Sequence, residues 1–101
     1  MLGTMSHVTL ETPFTIPEGV VSREIEGETV LLNLESGRYF GLNAVGTRVW
    51  QLLGDLGRPQ PVVEALLREF DVAPAALESD VLALLEQLAA HGLVATPDPG
   101  R

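Results

Sequence analysis

From Val20 onward, apolar and polar residues alternate with a period of two, and after Asn43 the period changes to that of an amphipathic helix. The first regime predicts three strands: Val20–Glu26, Thr29–Leu34 and Arg38–Leu42. The second predicts helices from Ala44 to near Leu53, from Pro61 to Phe70, and from Pro74 to His91. Strands followed by helices, without interleaving, define an α+β domain with the helices covering one face of a small antiparallel meander. In a meander the spatial order of strands is the chain order. The third strand is therefore an edge, and its outer side lacks a partner.

Local chemistry sets the expected joints. Gly27-Glu28 suits a two-residue hairpin with glycine first, which puts Ile25 opposite Val30, Arg23 opposite Leu32 and Val21 opposite Leu34. For the second hairpin, a three-residue loop Glu35-Ser36-Gly37 with Gly37 left-handed pairs Leu32 with Phe40 and Val30 with Leu42. That register gathers the large apolar residues, except Leu31 and Tyr39, on one face. A one-residue slip would invert the strand. Asn43 is placed to cap the first helix. Pro61 and Pro74 suit the first positions of the second and third helices, and Gly92-Leu93 suits a left-handed helix end with an apolar clasp.

Residues 1–19 read as an N-terminal arm, either frayed or laying Phe14 and Ile16 against the core, and Met1 to Thr4 as a remnant or alternative start. The folded domain is expected over residues 20–95 and a frayed tail over residues 96–101. With 101 residues and 46% apolar content, the chain supports one core and one domain.

Charge and composition narrow the chemistry. Six basic residues stand against fourteen acidic ones, a net charge of −8, which is a poor supply for neutralising phosphates. With no cysteine and only His7 and His91 as histidines, thiol chemistry and zinc-ligand spacing are both missing. Nothing in the sequence calls for a cofactor or a metal. Glu64, Glu69, Glu78, Asp80 and Glu86 fall on solvent-facing helix positions and read as a solvated acidic face, not as acid–base catalysts. No signal peptide and no membrane-length apolar run is seen, so a cytoplasmic protein is expected.

The third helix carries more apolar surface than one core stripe requires. Leu77, Val81, Leu84 and Leu88 form the expected core stripe. Leu82, Leu85 and Ala89 form a second flank, which either packs on the other helices or walls a groove beside the open strand. An unpaired strand edge next to an apolar helix flank suits strand addition by an extended peptide. The residues expected to bind peptide on this reading are Arg38, Tyr39, Phe40, Gly41 and Leu42 of the edge strand and Leu82, Leu85 and Ala89 of the helix flank.

The run SGRYFGLN, followed by a helix containing VGTRVW and later by FDVAPAALESDVLALLEQLAAHGLV, resembles the PqqD-like family of peptide recognition elements. These serve ribosomally made, post-translationally modified peptides. The resemblance spans about Val20 to Val94. It implies a winged-helix-like fold without catalysis, which holds a precursor's leader segment as an added strand between the third strand, here Arg38 to Leu42, and the third helix around Val81 to Ala89, and so adds Val81 to the expected peptide-binding residues. The wording is most similar to the freestanding leader-binding proteins of lasso-peptide clusters, which implies a cysteine leader peptidase and, through it, a cyclase as partners. Two other readings stay open. A related chaperone for another modified-peptide or radical-enzyme pathway fits the same letters. A winged-helix regulator fits the fold but not the charge. No nucleic acid or membrane partner is expected, and the chain is expected as a monomer or weak homodimer, the latter if its open edge pairs with a second copy.

Overall fold

The computed structural model describes residues 8–96. The elements are β1 (Val20–Ile25), β2 (Glu28–Asn33), β3 (Tyr39–Leu42), α1 (Ala44–Leu56), α2 (Pro59–Glu69) and α3 (Pro74–Ala90). The strands form one antiparallel sheet in the order β1-β2-β3. Three strands followed by three helices is the expected α+β layout, and it is consistent with a winged-helix-like arrangement. The expected remnant at Met1–Thr4 lies outside the described residues, as does all of the expected tail except Thr96.

Both hairpins depart from the expected register. The first turn is built on Glu26 (φ 54°) and Gly27 (φ 85°), two successive left-handed residues, as in a type I′ turn. Ile25 therefore pairs with Glu28, Arg23 with Val30 and Val21 with Leu32, two residues from the expected pairing. A two-residue slip leaves every side chain on its original face, so burial pattern alone could not distinguish the two turns.

The second hairpin is off by one residue, with larger consequences. Its loop has four residues, Leu34 to Gly37, closed by the bonds Asn33 N–H to Arg38 C=O (2.9 Å) and Gly37 N–H to Asn33 C=O (2.8 Å). Asn33 explains the extra residue. Its Oδ1 accepts from the amides of Glu35 (2.9 Å) and Ser36 (3.2 Å), while its Nδ2 donates to the Gly92 carbonyl (3.0 Å). That side chain winds the loop and fixes it to the end of α3. Leu31 now opposes Phe40, and Thr29 opposes Leu42. The buried residues of β2 are thus Thr29 and Leu31 (0% exposed), and the expected inward residue Val30 is 44% exposed. Gathering the largest apolar residues on one face was the wrong criterion, because the outer face of this sheet keeps Val21, Ile25, Val30 and Tyr39 exposed.

The helix ends follow the sequence more closely. Asn43 caps α1, its Oδ1 accepting from the Gly46 amide at 2.9 Å. The helix continues past Leu53 to Leu56 and stops at left-handed Gly57. α2 starts at Pro59, two residues before the expected Pro61, and both prolines sit in the first turn, where amides have no intrahelical acceptor in any case. At the end of α3, Gly92 (φ 72°) is left-handed, its amide bonding Ala89 C=O and that of Leu93 bonding Leu88 C=O. This is the expected cap, with Leu93 fully buried as its clasp.

The core joins Leu31 and Leu42 of the sheet to Val49, Trp50 and Leu53 of α1, Val62, Val63 and Leu66 of α2, and Leu77, Val81, Leu85 and Leu88 of α3. Burial of these side chains, at about 1.5–3 kcal/mol each, holds the helices on one face of the sheet. Phe14 from the arm is also buried, whereas Ile16 lies at the surface. The arm is fastened by Phe14 N–H to Gly57 C=O (2.8 Å) and by paired bonds between Thr15 and Ala95 (2.8 Å each).

Candidate functional site

Among the described residues, β3 pairs with β2 on one side only. In an antiparallel ladder, successive residues direct their amides alternately toward and away from the partner strand. Because Arg38 C=O accepts from Asn33, Phe40 and Leu42 face β2. Tyr39 and Gly41 then direct their N–H and C=O groups to the open edge. A strand's worth of donors and acceptors is left available there.

Beside that edge lies an open cleft of about 490 Å³. Phe40, Gly41 and Leu42 form one wall; Asn43, Val45, Gly46 and Val49, from the cap and first turns of α1, form the floor; Leu77, Asp80, Val81, Leu84 and Gln87 of α3 form the opposite wall. The α3 residues recur at three- and four-residue spacing, so they make one stripe along the helix. Gly46 is needed for the closeness of the floor: a Cβ there would lie 3.3 Å from both Cβ and Cδ2 of Leu42. At the far end of α3, His91 packs on Phe40 with ring centroids 5.3 Å apart, its Nδ1 2.8 Å from the Gln87 carbonyl oxygen.

The chemistry of this cleft is apolar with a polar rim. Among the described residues, no lysine or arginine lines it. Asp80 is exposed and has no hydrogen-bond or ion-pair partner among the described residues. The strongest ion pair lies elsewhere, between α1 and α2, where Arg48 grips Glu69 through two bonds of 2.8 and 2.7 Å. That hydrogen bonding holds the Glu69 carboxyl below its ordinary pKa and raises that of Arg48. Among the described residues, no group of three or more His, Cys, Asp or Glu side chains is placed to hold a metal, and no helix is long and apolar enough to cross a membrane.

Of the residues expected to bind peptide, Phe40, Gly41, Leu42 and Val81 are brought together around the cleft. Tyr39 stands on the outer face of the sheet, 75% exposed, and Arg38 is exposed just before β3. Leu85 is fully buried in the core, while Leu82 and Ala89 are half-buried and do not line the cleft. Leu84, expected in the core stripe, lines the cleft instead. Asp80, read as part of a solvated acidic face, is exposed but also lines the cleft, and sequence reasoning missed Gln87 and the α1 floor. The signal for the floor was present in Asn43 and Gly46, which bring α1 back against β3 immediately after the strand.

These features define a small α+β domain whose last strand has an open outer edge beside an apolar cleft. The chain belongs to the PqqD family: the pattern described as coenzyme PQQ synthesis protein D matches residues 28–94, which take in β2, β3, all three helices and the cleft. Two solved structures are similar to it. TbiB1 in complex with the TbiA(beta) leader peptide is 43% identical, with a TM-score of 0.74, over 78% of this chain and 92% of that one. Lasso peptide synthetase B1 complexed with the leader peptide is 28% identical, also with a TM-score of 0.74, over 82% of this chain and 98% of that one. Among curated proteins nothing matches.

Proposed function

We propose that this protein is a non-catalytic leader-peptide-binding element of lasso-peptide maturation. It captures the leader of a precursor as an added strand on β3 and presents it to a cysteine leader peptidase and, through it, to a cyclase. One observation carries the reading: the open β3 edge and the adjoining cleft occur in a chain 43% identical to TbiB1, which was solved with a leader peptide. Energetics support a division of labour. Backbone bonds at the edge contribute ~0.5–1.5 kcal/mol net each, and ordering a free peptide costs ~2–5 kcal/mol. Pairing alone is therefore weak and blind to sequence. Apolar leader side chains entering the cleft, at ~1.5–3 kcal/mol each when fully buried, must supply the surplus. Phe40, Leu42, Val81 and Leu84 are the proposed contacts, with Tyr39 and Gly41 supplying the ladder.

The test is fluorescence-anisotropy titration of labelled TbiA(beta) leader peptide, followed by the leader of any short precursor encoded beside this gene. Binding in the micromolar range or tighter, weakened by Leu84→Asp, is expected. If neither leader binds, the reading fails. The family description, a coenzyme PQQ synthesis protein, favours one second reading: a peptide chaperone of the same mode serving another pathway. That reading predicts tight binding to a different precursor and none to lasso leaders.

A further inference from the structure

The cleft is electrically lopsided along its length. Its direction is fixed by two contacts: Phe40 against His91, and Asn33 Nδ2 on the Gly92 carbonyl, both at the C-terminal end of α3. α3 therefore runs opposite to β3. Asp80 lies eleven residues before His91, about 16 Å along the helix at ~1.5 Å per residue, toward the end where β3 passes into Asn43. At that end the cleft adjoins a second depression that shares Gly41, Leu42 and Asn43 and carries Glu26 and Glu28 from the first hairpin. Asp80, Glu26 and Glu28 are all exposed and have no side-chain partner among the described residues. The opposite end holds Arg38, which lies on the same side of the sheet as Phe40 and is likewise exposed and unpaired, together with His91.

We infer that the cleft selects extended peptides carrying a lysine or arginine where the bound strand passes Asp80, and that this charge sets which way round the peptide lies. The inference rests on the leader-binding reading and deepens it; the cleft is the site, and the carboxylates sort what enters. A strand advances about 3.3 Å per residue. The cationic position therefore falls four to six residues from the one beside Phe40 and His91. Because the charges are exposed, the preference is modest in affinity and sensitive to salt.

The experiment uses labelled TbiA(beta) leader peptide and a set of variants in which each residue in turn is replaced by Lys or by Glu. These are titrated against the wild-type protein, Asp80→Asn, Asp80→Lys and the double variant Glu26→Gln/Glu28→Gln. One short segment of the peptide should favour Lys over Glu by about two- to five-fold. Asp80→Asn should reduce that preference, Asp80→Lys should invert it, and about 0.5 M salt should remove it. Unchanged thermal unfolding of the variants is expected, since Asp80 has no partner to lose, and separates selection from misfolding. If the leader binds the wild type but Lys and Glu are equivalent at every position, or the profile survives Asp80→Lys, charge selection is wrong and leader capture stands. If the wild type binds no leader, the functional reading falls and the inference with it.

Discussion

Leu84 and Leu85 are neighbours in sequence with opposite roles, and exchanging each for alanine separates the cleft from the core. Leu85 is 0% exposed among the core side chains, so Leu85→Ala removes fully buried methylene and methyl groups and leaves a cavity. The expected loss is about 3 kcal/mol, within the ~2–5 kcal/mol range for such truncations. For a domain of this size that corresponds to a fall in Tm of about 12–24 °C. Leu84 is half-buried and lines the cleft. Having kept part of its solvent contact, it loses only a fraction of that transfer energy, and Leu84→Ala should cost about 1 kcal/mol or less in stability. Its effect should appear in leader affinity, where removing one apolar contact worth ~1–2 kcal/mol weakens binding about 5- to 30-fold. Urea unfolding followed by Trp50 fluorescence gives the stabilities, and anisotropy gives the affinities. Should Leu84→Ala unfold the protein while Leu85→Ala only weakens leader binding, the assignment of wall and core on α3 is reversed.

Three further outcomes follow from the joints of the fold. Asn33→Ala removes the one oxygen that accepts from the Glu35 and Ser36 amides and the bond to Gly92, and should cost about 1–3 kcal/mol in urea unfolding; a change within experimental error would mean that the loop is held by its backbone alone. Gly92→Ala forces an L side chain to φ 72° and sets its Cβ 2.9 Å from Asn33 Nδ2, so a loss of at least about 1 kcal/mol is expected, and a neutral result would count against the left-handed cap. Glu69 has a folded pKa lowered by Arg48, so its contribution to stability is present above the unfolded carboxylate pKa and disappears as pH falls through the folded value. The stability gap between wild type and Glu69→Gln should therefore be small at neutral pH, as befits an exposed pair, and close on acidification; a gap independent of pH refutes that assignment.

The sequence disclosed the element order, the edge position of β3 and most helix ends because each has a local cause. Asn43 caps, Pro74 starts and Gly92 stops whatever the rest of the chain does. The face of β2 was not legible in the same way. Thr29 and Leu31 point inward because Asn33 lengthens the following loop by bonding a carbonyl 59 residues away, a tertiary contact without a local signature. The same limit applied to α3, where apolar residues occupy so much of the circumference that periodicity could not assign faces. Leu84 and Leu85 were exchanged for that reason; Asp80 was assigned to a solvated face and Gln87 passed over because a polar residue on a helix ordinarily means solvent. Within Val30 to Trp50 the edge strand and its cap were legible because they are contiguous, whereas the α1 floor that the cap brings against the strand was not.

The paired bonds between Thr15 and Ala95 join positions 80 residues apart and sit just beyond the Gly92 cap of the helix that walls the cleft. A shortened version beginning at Val20, the natural place to cut if only strands and helices are counted, would sever this stitch and expose the pocket that Phe14 fills. The stretch ahead of the sheet thus bridges the α1–α2 junction to the chain just beyond α3, and trimming it should loosen the anchorage of that helix's end without altering any residue that lines the cleft.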